Sequence, residues 1–264
     1  MERLARKVAI VTGAGSRADG IGNGRAIAIA MAREGASVAL LDLDLHAAED
    51  TGAMISRDGG IGMAIRCDVA RAEDCRAAVD AVVRRFGRPD VLVNNVGVIG
   101  PPGTAVDVDI DAWTRTFQLN VTSMLLMARF ALPSMIEGGS GSIINMASIT
   151  GLVGGFPNVC YPTTKGAIIA LTRAMAAQHG RQGVRVNAIA PGLVYTPYVA
   201  GDGMSDEMRA SRRQATVLGT EGTAWDVAAA AVFLASEEAR WITGVVLPVD
   251  AGDTAVWSNT PYVA

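Results

Sequence analysis

Cysteine is scarce in this chain: Cys67, Cys75 and Cys160 are the only three among 264 residues. An odd number without regular spacing excludes a disulfide framework and suits a reducing, cytoplasmic setting. The only histidines, His46 and His179, lie far apart and form no ligand cluster. Nothing has zinc-ligand spacing, so no metal is expected. Charged residues make up 19%, with 23 basic side chains against 26 acidic ones and a net charge of −3. A nucleic-acid partner would call for a basic domain or stripe, and none is present. No uninterrupted apolar run reaches the ~18 residues of a membrane span, so no membrane association is expected. The run Val8-Ala9-Ile10-Val11 stops at Thr12-Gly13 with no small-residue cleavage site, and so does not read as a signal peptide.

What the chain does have is apolar residues, 50% of the total, and 30 glycines. That composition excludes disorder, and the length suffices for one large α/β domain with a sizeable core. Short apolar runs alternate with helical segments from end to end. Strands are predicted at 8–12, 37–42, 62–68, 90–94, 141–148, 184–190 and 243–249. Helices are predicted at 22–34, 45–57, 72–86, 109–136, 158–181 and 225–236, with Pro133 as the expected kink in the longest. Continuous rather than alternating apolar strands indicate a parallel sheet buried on both faces. The chain therefore reads as a single doubly wound Rossmann domain over 1–264, with a mostly seven-stranded parallel sheet and helices on both faces. Residues 193–222 lack a clean period and are the expected lid.

The first strand runs into Thr12-Gly13-Ala14-Gly15-Ser16-Arg17-Ala18-Asp19-Gly20-Ile21-Gly22, which opens a helix. A helix N-terminus offers unpaired N–H groups and a positive dipole end. Glycines let the backbone approach a pyrophosphate closely. Glycine turns after strands are common, so this run is weak alone. Asp42, twenty residues past Gly22 at the end of the second strand, strengthens it. A carboxylate there can take both adenosine-ribose hydroxyls and repels a 2′-phosphate. That points to NAD; the plainer reading of Asp42 is a solvated turn residue. Arg17 is the contrary feature, since a cation there could receive a 2′-phosphate.

Tyr161-Pro162-Thr163-Thr164-Lys165 opens another predicted helix. Spacing i, i+4 puts Tyr161 and Lys165 on one helix face. A free phenol, with a pKa near ~10, is a poor base at neutral pH. A neighbouring ammonium and a positively charged nicotinamide would lower that value. A Tyr and a Lys four apart occur by chance in many chains.

Together, the glycine run, Asp42, Asn94-Asn95-Val96-Gly97, Ser148 and the Tyr161–Lys165 pair resemble the short-chain dehydrogenase/reductase family. The resemblance extends from Val8 to Gly252. It departs from the family in one place: six residues, not three, separate Gly13 from Gly20. The resemblance implies a catalytic quartet of Asn120, Ser148, Tyr161 and Lys165. Ser148 would hold the substrate oxygen and Asn120 a water beside the lysine. It implies cofactor contacts from Gly13, Ser16, Gly20, Ile21, Gly22, Asp42, Leu43, Asp68, Val69, Asn94, Val96, Gly97, Tyr161, Lys165, Pro191, Gly192, Val194 and Thr196. The expected reaction is NAD(H)-dependent interconversion of a small-molecule secondary alcohol and a ketone. Epimerisation or dehydration on the same cofactor, and a nucleotide-sensing regulator, are the other readings. The resemblance also implies a homotetramer built on helices 109–136 and 158–181. Trp257 is a candidate aromatic wall for the substrate pocket.

Overall fold

The computed structural model describes residues 2–16, 20–201 and 203–256. Arg17 and Trp257 lie outside them.

The first strand, β1 (Val8–Thr12), is buried at every position, as a central parallel strand must be. There follow α1 (Asn23–Arg33), β2 (Ser37–Asp42), α2 (Leu45–Arg57), β3 (Ile61–Arg66), α3 (Ala72–Phe86) and β4 (Val91–Asn94). Next come α4 (Ile110–Phe117), α5 (Ser123–Glu137), β5 (Gly141–Met146), α6 (Cys160–His179) and β6 (Val184–Pro191). The predicted lid contains β7 (Val194–Tyr195), α7 (Pro197–Ala200), α8 (Asp206–Gln214) and β8 (Gly222–Thr223). The described chain closes with α9 (Ala224–Ala235) and β9 (Val246–Val249).

Seven parallel strands form one sheet in the order β3-β2-β1-β4-β5-β6-β9. This is the doubly wound arrangement expected from the sequence. Side chains alternate across each strand, and the core divides accordingly. Ala9 and Val11 pack with α1, α2 and α9 on one face. Val8 and Ile10 pack with α3, α5 and α6 on the other. The order reverses between β1 and β4, which opens a crevice at their carboxyl ends.

Two features differ from the sequence expectation. Residues 110–137 form one continuous 28-residue helical rod. Its irregular turn falls at Gln118–Thr122, where the hydrogen bonds widen to the π pattern, while α5 continues through Pro133. Wide turns of this kind concentrate at functional sites, and this one carries Asn120. By length and composition the rod could cross a membrane. Here Met127, Ala128, Ala131 and Met135 are buried against the sheet. The lid is also more ordered than its sequence suggests, since β7 and β8 pair in parallel, Val194 with Gly222 and Tyr195 with Thr223.

Candidate active site

Beyond β1, the glycine loop and the start of α1 are packed too tightly for side chains. A Cβ on Gly24 would collide with the Gly13 carbonyl, and one on Gly15 would lie 2.6 Å from the Ala47 Cβ. Gly22 caps α1 without a side-chain hydrogen bond, which leaves the first helix amides for a ligand. Ser16, Ile21 and Gly22 are partly exposed around this helix end. The Asn23 Oδ1 is buried with no partner among the described residues, so a donor arriving at the helix end would relieve it.

Asp42 ends β2, and its Oδ2 accepts the Gly15 N–H at 2.8 Å. Its other oxygen accepts the Asp44 N–H at 3.1 Å. The carboxylate therefore fixes the glycine loop as well as facing the crevice end of the sheet. Arg25 was not legible as a functional residue. It is buried, 4% exposed, and its guanidinium donates to Thr51 Oγ1 at 3.0 Å and to the Gly20 carbonyl at 2.8 Å. It pins the end of the inserted loop onto α2. The only sequence signal is a cation within the largely apolar helical segment 22–34.

The remaining adenosine-side candidates fall into three groups. Asp68 caps the turn after β3, accepting the Ala70 N–H at 3.0 Å. Val69 is buried beside it, and Leu43 is exposed. Asn94 turns its side chain into the interior, donating to Asn145 Oδ1 at 2.9 Å, while its own Oδ1 is unpartnered among the described residues. Its neighbour Asn95 faces the loop instead, with Nδ2 donating to the carbonyls of Thr12 at 3.1 Å and Gly13 at 3.2 Å. The doubled asparagine was visible in sequence, but not which member faces the loop. Val96 is half-buried.

The four catalytic candidates converge at the carboxyl ends of β4 and β5. Ser148 is 7% exposed and caps the short 3-10 turn Ile149–Gly151, accepting the Thr150 N–H at 3.2 Å. Tyr161 lies in the first turn of α6, where Pro162 costs no hydrogen bond. Asn158 Oδ1 receives the Tyr161 N–H at 2.9 Å, and the Phe156 ring lies 5.2 Å from the phenol ring. Lys165, one turn on, is 3% exposed and donates to the Met146 carbonyl at 2.9 Å. Its Nζ lies 5.4 Å from the centre of the Tyr161 ring. A Cβ on Gly97 would lie 3.3 Å from that Nζ and 3.6 Å from Asn120 Oδ1. Gly97 thus joins the ends of β4 and α6. Asn120, fully buried in the π turn, accepts the Val98 N–H and donates to the Val98 carbonyl, both at 2.8 Å. It also donates to Thr164 Oγ1 at 3.1 Å.

Burial sets the proton affinities. It pushes the Tyr161 phenol above its ordinary value; hydrogen bonding with Ser148 pulls it down and the charge of Tyr198 pushes it up. Burial also pushes the Lys165 ammonium down to about 8. The two aligned side chains are present as the spacing required, but in this state the ammonium does not lower the phenol.

Among the candidates for the nicotinamide side, Pro191 ends β6 and Gly192 packs on Asp250. Val194 is 6% exposed and Thr196, also 6% exposed, caps α7. Arg212 Nη2 donates to the Val194 carbonyl at 3.1 Å. Glu221 receives Arg212 at 2.7 Å and Arg209 at 2.9 Å. On sequence alone, residues 205–213 suggest a short polar helix whose arginines face solvent. Their shared, nearly buried partner was hidden in an aperiodic segment.

A seven-stranded Rossmann sheet with a glycine cradle, a buried lysine and a tyrosine beside a serine defines a dinucleotide-dependent oxidoreductase class. A family profile described as enoyl-(acyl carrier protein) reductase matches residues 16–254. Over 258 residues the chain is 41% identical to 2-(S)-hydroxypropyl-CoM dehydrogenase 3 of Xanthobacter autotrophicus, covering 96% of this chain and 99% of that one. It is 36% identical to meso-2,3-butanediol dehydrogenase of Serratia marcescens, covering 96% of each. The solved 7α-hydroxysteroid dehydrogenase complexed with NADH and 7-oxo glycochenodeoxycholic acid superposes with a TM-score of 0.88 at 34% identity, covering 95% of each chain. The protein belongs to the short-chain dehydrogenase/reductase family.

Proposed function

We propose that this protein interconverts a secondary alcohol and a ketone with NAD(H), using Tyr161 as the acid–base group. The observation that carries the reading is the convergence of Ser148, Tyr161, Lys165 and Asn120 around Gly97. A bound oxidised nicotinamide would supply a hydride acceptor and a positive charge beside the phenol. Tyr161 takes the alcohol proton in oxidation and returns it in reduction. Ser148 holds the substrate oxygen where charge develops. Lys165 and Asn120 carry the proton path behind the phenol. The Val194 backbone and the Thr196 hydroxyl orient the carboxamide end.

Asp42 supports NAD over NADP, because a 2′-phosphate there would face a carboxylate already committed to the loop. The test is the ratio of kcat/KM for the two cofactors with one alcohol. A preference for NAD is expected, and Asp42→Ala should shrink it; a wild-type preference for NADP contradicts the assignment.

The substrate is a neutral small molecule. The segments 98–102, 149–156 and 193–199, which surround the expected position of the reacting carbon, contain no Lys, Arg, Asp or Glu. Burying an unpaired ion among them costs on the order of several kcal/mol. Arg209 and Arg212 are already held by Glu221, and Arg209 also stacks on Tyr195, 4.0 Å from its ring centre. A screen pairing neutral alcohols with carboxylated analogues of equal size tests this. Better turnover of the carboxylated members, erased by Arg209→Ala or Arg212→Ala, contradicts it.

A cytoplasmic homotetramer completes the reading. Leu125, at 50% exposure, and Ile110, at 67%, leave apolar side chains on the helical rod, which a second copy would cover.

A further inference from the structure

Asn145 has no part in the mechanism above, yet an amide at its place in β5 calls for a reason. The residue is fully buried, and Ile143, two residues before it on the same face, packs with α3, α5 and α6. An apolar side chain would fill that position without the desolvation that an amide costs. The amide is satisfied from two sides instead. Its Oδ1 accepts from Asn94 Nδ2 at 2.9 Å, and its Nδ2 donates to Thr172 Oγ1 at 3.0 Å. Thr172, also fully buried, donates its own proton to the Ile168 carbonyl at 2.8 Å.

These contacts lie where β5 loses a neighbour. The pairing of β4 with β5 ends at Asn94 opposite Asn145, so Met146 has a strand partner only on the β6 side. Met146 supplies the carbonyl that receives Lys165 Nζ at 2.9 Å, and Ser148 follows two residues on. Thr172 lies seven residues after Lys165 in α6, two turns along and so on the same helix face. Asn145 therefore joins the end of β4, the end of β5 and the helix that carries Tyr161 and Lys165. The turn capped by Ser148 presses on the same helix: a Cβ on Gly151 would lie 2.7 Å from the Lys165 carbonyl carbon. A buried polar network with its members satisfied rigidifies the core and specifies a single arrangement.

We propose that Asn145 is a positioning residue: through Thr172 it locks the end of β5 onto α6, which holds the Met146 carbonyl against Lys165 and Ser148 beside Tyr161. This inference rests on the roles assigned above to Ser148, Tyr161 and Lys165. Asn145 acts only through the strand and the helix that carry them.

The test removes one hydroxyl of the network at a distance from the reacting atoms. Thr172→Val keeps the shape and deletes the acceptor of the Asn145 amide; Thr172→Ser keeps the hydroxyl. In Thr172→Val, kcat for alcohol oxidation should fall about three- to tenfold, the range of one neutral hydrogen bond, with a smaller change in KM. Thr172→Ser should restore it. A second readout does not depend on turnover. Lys7 and Lys165 are the only lysines of the chain, so lysine labelled with 13C at Cε gives two signals, which Lys165→Met assigns. The Lys165 signal should move in Thr172→Val and keep its wild-type position in Thr172→Ser. Should Thr172→Val fail to fold, Thr172→Ala carries the same expectations. An unchanged kcat or an unmoved Lys165 signal overturns the proposal, whatever the melting temperature, and leaves Asn145 as a satisfied core amide. If the wild type oxidises no alcohol, the alcohol–ketone reading fails, and the lysine signal still decides whether the network positions Lys165.

Discussion

Lys165 illustrates how function costs stability at a single residue. Its ammonium is buried with a carbonyl partner and no carboxylate among the described residues, and burial brings it from 10.5 to about 8. Between those values the unfolded chain holds a proton that the folded one lacks, so stability rises with pH across that window. Below pH 8 the full penalty applies, about 3 kcal/mol by the usual conversion. Lys165→Met removes the charge and forfeits one hydrogen bond of about 1 kcal/mol. The variant without cofactor should melt roughly 5 °C higher at pH 7 while losing turnover. A lower melting temperature would show that the buried ammonium stabilises the fold. The i, i+4 spacing that flags Lys165 is local, and so it was legible in sequence. The inward turn of Asn94 and the loop-pinning contacts of Arg25 were not, because they depend on partners supplied by β5 and α2.

At the scale of elements, the lid is held together by a chain of contacts from Glu221 through Arg212 to the Val194 carbonyl. Burial favours the protonated acid at Glu221, yet Arg212 and Arg209 outweigh it and hold the carboxyl below its ordinary range. The ion pairs are thus complete at neutral pH and are lost as pH falls through that lowered value. Arg212→Ala frees Val194, the residue assigned to the carboxamide, and should weaken NADH binding several-fold, as read by fluorescence titration. Unchanged affinity would show that β7 is held in place by β8 alone. Within the lid only the short polar helix over 205–213 was legible in sequence, matching α8, since two-residue strands and a four-residue helix leave no period to read. The central strands β1 and β4 were legible because each is a nearly continuous apolar run, buried at every position. The π turn at Gln118–Thr122 was not, because neither proline nor glycine marks it.

At the scale of the whole molecule, the doubly wound seven-stranded parallel sheet followed from the alternation of elements along the chain. Quaternary structure did not, since the exposure of Ile110 and Leu125 becomes visible only once the rod is packed. If this face of the rod is the subunit contact, Leu125→Glu should shift the assembly toward smaller species in light scattering, and an unchanged mass would place the contact elsewhere. The account as a whole depends on the Tyr161 hydroxyl. Tyr161→Phe deletes one oxygen and preserves the ring that packs on Phe156. The decisive experiment measures alcohol oxidation at the NADH absorbance band across pH, together with NADH affinity, for the wild type and this variant. The wild-type rate should rise with pH as the phenol ionises, and the variant should bind NADH nearly as well yet show no turnover. Retained activity in Tyr161→Phe would place the acid–base chemistry on another group and contradict the mechanism.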